Sequence, residues 1–181
     1  GREMTNWQDG LYGVFIDFKK QKAHIINVLA EFTYTKNMSN IPVSISGPDN
    51  YFNNSIYKSG WTYHGNTIGS PYFTPKPVDN NGITSGVIQG DNRFAAINIG
   101  ANGYVKWLPY RVLLSHTTYY GWFNQEYEQY PVQFSGILDI VIPQDKFNLP
   151  FDVAASFAFD AGSYIPKNFG AFISITKTGS F

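Results

Sequence analysis

The stretch Phe151-Asp152-Val153-Ala154-Ala155-Ser156-Phe157-Ala158-Phe159-Asp160 alternates with a period of two. Phe151, Val153, Ala155, Phe157 and Phe159 fall on one side, and Asp152, Ala154, Ser156, Ala158 and Asp160 on the other. Side chains of a β-strand point alternately to opposite faces, so this stretch is a strand with one apolar face and one small, polar face. The same period recurs through most of the chain and helical spacing is almost absent, so the fold reads as all-β. Strands are expected at about 10–18, 23–36, 93–104, 110–123, 132–143, 149–160 and 169–178, seven in all. The segment from about 37 to 92 is rich in Asn, Gly, Pro and Ser and reads as one long loop. Short turns fall at Lys19 to Lys22, Lys106 to Pro109 and Gln144 to Asn148.

The chemistry of the two faces separates two architectures. In a soluble sandwich the apolar face is the packed core and the outer face carries Lys, Glu and Thr in contact with water. Here the polar alternation is built from Gly, Ala, Ser, Asn and Asp. An outer-membrane barrel has this pattern, with an apolar face toward lipid and a small, polar inner wall. Loop lengths alternate short and long, as periplasmic turns and outer loops do. The expected fold is therefore an antiparallel up-and-down transmembrane β-barrel. Single-chain bacterial barrels have an even number of strands, so these seven, ending on Phe181, are expected to be the C-terminal strands of a larger barrel. Lys177 falls on the apolar alternation and would snorkel to the interface near the rim.

Composition bounds the function classes. Thirteen basic and thirteen acidic residues cancel, so no positive field marks a nucleic-acid partner. There is no Cys, hence no thiolate nucleophile or Cys-type zinc site. The longest unbroken apolar run, Phe94 to Ile97, is far too short for a membrane-spanning helix of about 20 residues. Aromatic residues make up 18% of the chain, more than a core of this size requires.

Several strings carry a family likeness. Asp49-Asn50-Tyr51-Phe52-Asn53-Asn54 is followed by Tyr57-Lys58-Ser59-Gly60-Trp61-Thr62-Tyr63-His64-Gly65 and Ile68-Gly69-Ser70-Pro71-Tyr72-Phe73. With Asp91-Asn92-Arg93-Phe94 and the ending Ile175-Thr176-Lys177-Thr178-Gly179-Ser180-Phe181, they resemble the capsule assembly Wzi family in its Bacteroidetes form. The resemblance implies the C-terminal part of a wide barrel in the bacterial outer membrane, whose cell-surface loops hold capsular polysaccharide. It assigns no binding residue to a position here.

Motifs for catalysis are lacking. His24, His64 and His116 have no metal-ligand spacing, and there is no G-x-S-x-G, P-loop or G-x-G-x-x-G. Asp17, Glu31, Asp139, Asp152 and Asp160 read as lining a wet lumen rather than as a hydrolytic pair. Asp49, Asp79 and Asp91 each precede Asn and read as turns rather than calcium ligands. No enzyme activity, metal or cofactor is expected. Apolar sugar faces stack on Trp and Tyr, which makes the loop aromatics Tyr51, Tyr57, Trp61, Tyr63, Tyr72 and Tyr127 the candidate glycan contacts. Trp107, Tyr119, Tyr120 and Trp122, at strand ends, read as an interfacial girdle. Expected partners are outer-membrane lipid, surface polysaccharide and other outer-membrane subunits. The rival readings are a soluble secreted β-sandwich that binds carbohydrate, and a transport or structural subunit of an outer-membrane complex.

Overall fold

The computed structural model describes residues 7–38, 51–52, 62–63, 66–68, 71–72, 91–122, 125–148 and 150–177. In chain order the elements are β1 (Gly10–Asp17), β2 (Asn27–Tyr34), β3 (Thr62–Tyr63), β4 (Asn66–Thr67), β5 (Arg93–Val105), β6 (Leu108–Trp122), β7 (Gln125–Glu126), β8 (Val132–Ile142), α1 (Gln144–Phe147), β9 (Asp152–Gly162) and β10 (Asn168–Thr176). The chain is all-β. Seven strands form one antiparallel up-and-down sheet in the order β1-β2-β5-β6-β8-β9-β10, which is not closed. The short β7 pairs with the end of β6, and β3 with β4 makes a separate ladder.

The short connections share one backbone device. Lys19, Lys22, Lys106 and Asn148 all have φ between 50° and 60°, the left-handed region that a tight reversal demands. The turn expected over 106–109 is confined to Lys106 and Trp107, with Leu108 and Pro109 already in β6. Pro109 lacks an N–H and is tolerated near a strand start. The turn expected over 144–148 is a single helical turn, α1, which ends where the Asn148 N–H donates to the Gln144 carbonyl.

The chain divides into two compact units. One comprises Tyr12–Phe32, Ala96–His116 and Val132–Phe181. Within it the cross-strand register puts Leu138 opposite Phe157, Ile140 opposite Ala155 and Ile142 opposite Val153, with Ile173 and Ile175 across from the same Ala155 and Val153. The intervening positions pair Ser135 with Asp160, Asp139 with Ser156, and Ser174 with Ala154. Asp160 accepts a hydrogen bond from the Ser135 hydroxyl, and Asp139 accepts one from Arg111 Nε at 2.8 Å. One face is thus a continuous apolar surface, and it lies open: Phe157 is 43% exposed and Ile173 71%.

The other unit comprises Gly1–Leu11, Thr33–Ala95 and Thr117–Pro131. Its core is Phe94, buried to 1%, with Phe52 stacked on it at 6.4 Å and Tyr72 tilted against it at 4.8 Å. Thr35 beside it donates its hydroxyl to the Asn92 carbonyl and accepts the Phe94 N–H, each at 2.9 Å. Tyr119 and Thr117 are buried as well. Thr35, Phe94, Thr117 and Tyr119 all belong to the polar alternations of their strands. Tyr119 therefore leaves the expected girdle, because it has the parity of Arg111, Ser115 and Thr117 rather than that of Tyr120.

Close approach of backbone constrains Gly103 and Gly162, where a Cβ would overlap the carbonyl oxygens of His24 and Val132. A Cβ on Gly103 would overlap the His24 carbonyl oxygen, whereas one on Gly170 would meet nothing within 4 Å. Gly103→Ala is expected to destabilise the fold by about 1–3 kcal/mol, since the obstacle is backbone, and Gly170→Ala to change it by less than about 0.5 kcal/mol. Thermal or urea unfolding of the two variants measures the contrast.

Candidate functional site

A polar aromatic cluster in the unit that holds Phe94 begins at Lys36, two positions beyond the end of β2. Its Nζ sits 4.1 Å from the centroid of the Tyr120 ring and 5.0 Å from that of Tyr130. Glu126 Oε1 lies 2.9 Å from this ammonium and also accepts the Tyr130 hydroxyl at 2.6 Å. Arg93 Nη1 stands 3.8 Å from Glu126 Oε2, and Arg93 Nε donates to the Lys36 carbonyl at 2.9 Å. β7 places the carboxylate: Gly121 pairs with Glu126 and Trp122 with Gln125, which folds the 125–130 segment back beside Tyr120. Tyr120 and Tyr130 meet edge to face at 4.9 Å.

This arrangement fixes ionisation. The hydrogen bonds from Tyr130 and Lys36 hold the Glu126 carboxyl below its ordinary value. Burial pulls Lys36 down, but the hydrogen bond and charge of Glu126 outweigh it and leave the ammonium above its ordinary value. Tyr127 donates its hydroxyl to Asp91 Oδ1 at 2.8 Å, and burial together with that carboxylate pushes the phenol up to about 12. Near neutrality the cluster therefore holds a charged Lys36 against a charged Glu126. A ring platform with a fixed cation and a fixed carboxylate can stack a sugar face and hydrogen-bond its hydroxyls.

A second carboxylate, Asp9, is turned inward to the backbone. It accepts the N–H groups of Asn37 at 2.9 Å and Met38 at 2.6 Å, and the hydroxyl of Tyr51. Met38 itself has a left-handed φ of 47°.

The candidate glycan residues therefore part company. Trp61 and Tyr57 lie outside the described residues. Tyr63 closes the β3–β4 ladder opposite Asn66 and is 68% exposed. Tyr51 is tied to Asp9, and Tyr72 is part of the Phe94 stack. Tyr127 joins Asp91, whose φ of 48° makes it a turn residue as well as an acceptor. Asp49, Asp79 and His64 lie outside the described residues, among which no group of three His, Asp or Glu side chains is placed to hold a metal ion. Sequence reasoning missed Lys36, Arg93 and Glu126. The first two left a trace: each is a cation on an otherwise apolar alternation, after Phe32 and Tyr34 and before Ala95 and Ile97. Compared with known protein families, curated proteins and solved structures, the chain matches none.

Two outcomes follow from the geometry. Tyr72→Ala is expected to lose about 1–3 kcal/mol of stability because it opens the Phe94 stack, while Tyr63→Ala should leave stability within about 0.5 kcal/mol; unfolding curves separate them. Tyr127 has a raised folded pKa, so the stability it contributes is complete below the ordinary phenol value of 10.0 and is lost as pH rises toward about 12. Tyr127→Phe is expected to remove this alkaline loss and a late-titrating phenol from an ultraviolet difference titration.

Proposed function

We propose that this chain is part of a non-enzymatic outer-membrane β-barrel of the Wzi type, which holds surface polysaccharide through the loops at its cell-surface end. One observation carries the membrane half of the reading. The apolar face of the sheet lies open, and the buried residues Thr35, Phe94, Thr117 and Tyr119 have the parity of the small, polar face, which is itself open at Phe15 and Phe172. Water penalises an open surface of this kind, and monomeric soluble proteins rarely present one wider than a few hundred Å². Hydrocarbon does not penalise it. A soluble sandwich would have to lay a second sheet over Phe157 and Phe159, which are 43% and 37% exposed.

Strand length agrees. β8 and β9 each have 11 residues, or about 36 Å at roughly 3.3 Å per residue, which projects to about 26 Å at a tilt of about 45°. The apolar band of such barrels is about 25 Å tall. Exposed Tyr63 and the Lys36–Glu126–Tyr130 platform support the glycan half, because they combine stacking surface with fixed hydrogen-bonding groups.

Adjacent residues of β9 supply the test. A spin label at Phe157 is expected to collide with acyl-chain relaxants, and one at Ala158 with water-soluble relaxants. Phe157→Arg should cost roughly 2–4 kcal/mol if it lies near the bilayer midplane. Protection of the Phe157 label from both lipid and water, in a chain that stays soluble without detergent, would overturn the membrane reading.

A further inference from the structure

The short turns make one rim. The Tyr104 N–H donates to the Ala23 carbonyl at 2.8 Å and the Tyr110 hydroxyl to the His24 carbonyl at 2.7 Å, so the turn after β1 lies against the ends of β5 and β6. Trp107, between β5 and β6, meets Phe147 of α1 edge to face, with ring centroids 5.6 Å apart. Asp152 at the start of β9 accepts the Gln144 N–H at 2.9 Å and stands opposite Thr176 at the end of β10. Every residue of this row belongs to the compact unit that carries the open apolar face of β8, β9 and β10. The seven strands of the sheet make the rim about 29 Å long at roughly 4.8 Å per strand.

Cations collect on this rim. Lys19, Lys20, Lys22, Lys106, Lys146 and Lys177 lie there, six of the thirteen basic residues, against three of the thirteen acids, Asp17, Asp145 and Asp152. The excess is three positive charges, with histidines counted as neutral. Next inward, Arg111 and Asp139 pair at 2.6 Å and cancel. The other charged residues of the unit, Glu31, Asp160 and Lys167, carry one negative charge in excess, so the positive pole is at the rim. Asp17 is taken by Lys19 at 2.6 Å. Lys20, Lys22, Lys106, Lys146 and Lys177 are exposed and enter no ion pair among the described residues. The backbone adds a separate sign. Lys19, Lys22 and Lys106 hold left-handed φ values of 54°, 52° and 60°. Gly or Asn takes that conformation more readily than a long side chain, so lysine at all three costs stability that the turns do not require.

We infer that the rim is a docking surface for the phosphate headgroups of an anionic phospholipid, in the leaflet that the short turns reach. The inference rests on the membrane reading, in which hydrocarbon covers the apolar face and the rim marks one edge of it. Apolar groups lie between the charges: Phe18, Val105 and Phe147 are 45%, 56% and 58% exposed. Lys177 continues the β10 alternation of Phe169, Ile173 and Ile175, each at least 67% exposed, so a cation ends an open apolar row. Lysine stems that lie along apolar surface carry their ammonium groups outward, and rings such as Trp107 settle where acyl chains meet headgroups. An acidic polymer in water would meet the same lysines but would leave Trp107, Phe147 and Val105 without an apolar contact.

The test places the full chain in nanodiscs of phosphatidylcholine containing one part in ten of phosphatidylglycerol and reads the lipids retained on the protein by native mass spectrometry. The unmodified chain is expected to retain phosphatidylglycerol above its share in the bilayer. Lys22→Asn and Lys106→Asn should each lower that retention roughly fivefold, the effect of one cation near an anionic surface. Both should leave the thermal unfolding midpoint unchanged or higher, because Asn suits the left-handed backbone. Lys106→Arg should keep the retention. Lys167→Gln, between β9 and β10 at the opposite end of the sheet, should change nothing. Equal phosphatidylglycerol retention by the unmodified chain and the Lys22→Asn, Lys106→Asn double variant overturns the inference. So does a lowered midpoint with unchanged retention, which would mean that these lysines serve only the turns. Weaker binding of an acidic polysaccharide or inorganic phosphate by the double variant, with no change toward phosphatidylglycerol, overturns it as well. A chain that never enters the bilayer overturns the membrane reading and this inference together, whereas one that enters without preferring phosphatidylglycerol overturns only the inference.

Discussion

The backbone hydrogen-bond ladder is the constraint on which everything else depends. Once Leu138 lies opposite Phe157 and Asp139 opposite Ser156, every other residue of β8, β9 and β10 is committed to a face. A slip of β9 by one residue against β8 would send Phe157 and Phe159 to the side of Ser135 and Asp139. Such a slip would also break the bond from Ser135 to Asp160. Polar pairs on one face, from Ser135 to Asp160 and from Arg111 to Asp139, therefore help to fix the register of this sheet.

The core around Phe94 lies on the polar alternation of its strand. A large ring has been admitted to a polar alternation, and the chain covers it with two rings, Phe52 and Tyr72, from the Asn- and Pro-rich segment. Thr35 satisfies the backbone there with its hydroxyl, and the ladder continues one residue past the end of β2 through the bond from Thr35 N to the Phe94 carbonyl. Aromatics of the long segment thus have two roles that composition alone does not separate. Tyr72 fills space, and Tyr63 stays exposed.

How much was legible follows from range. The seven long strands and their faces were readable because period two is a local signal, repeated over eight or more residues in each. Parity even contained the placement of Tyr119, which grouping by residue type obscured. The helical turn at Gln144–Phe147 was marked by Pro143 before it, Lys146 in its last turn and Asn148 after it, but four residues are too few to show a period. The Lys36–Glu126 pair joins residues 90 positions apart, and its formation depends on β7 folding back on β6. No local pattern announces a contact of that kind. Trp61 and Tyr57, the loop residues on which sequence reading relied for sugar stacking, lie outside the described residues.

Electrostatics then ties the cluster to the sheet. A lysine that continues an apolar alternation must find a partner or leave, because an unpaired charge in a dry setting is costly. Lys36 has both a carboxylate and two ring faces within reach, so it stays charged without entering the polar alternation. Glu126 answers Arg93 as well, and one carboxylate shared between two cations neutralises neither completely. Replacing Glu126 by a neutral residue would take the same acid from both cations at once, so this carboxylate ties the segment after β2, the start of β5 and β7 together.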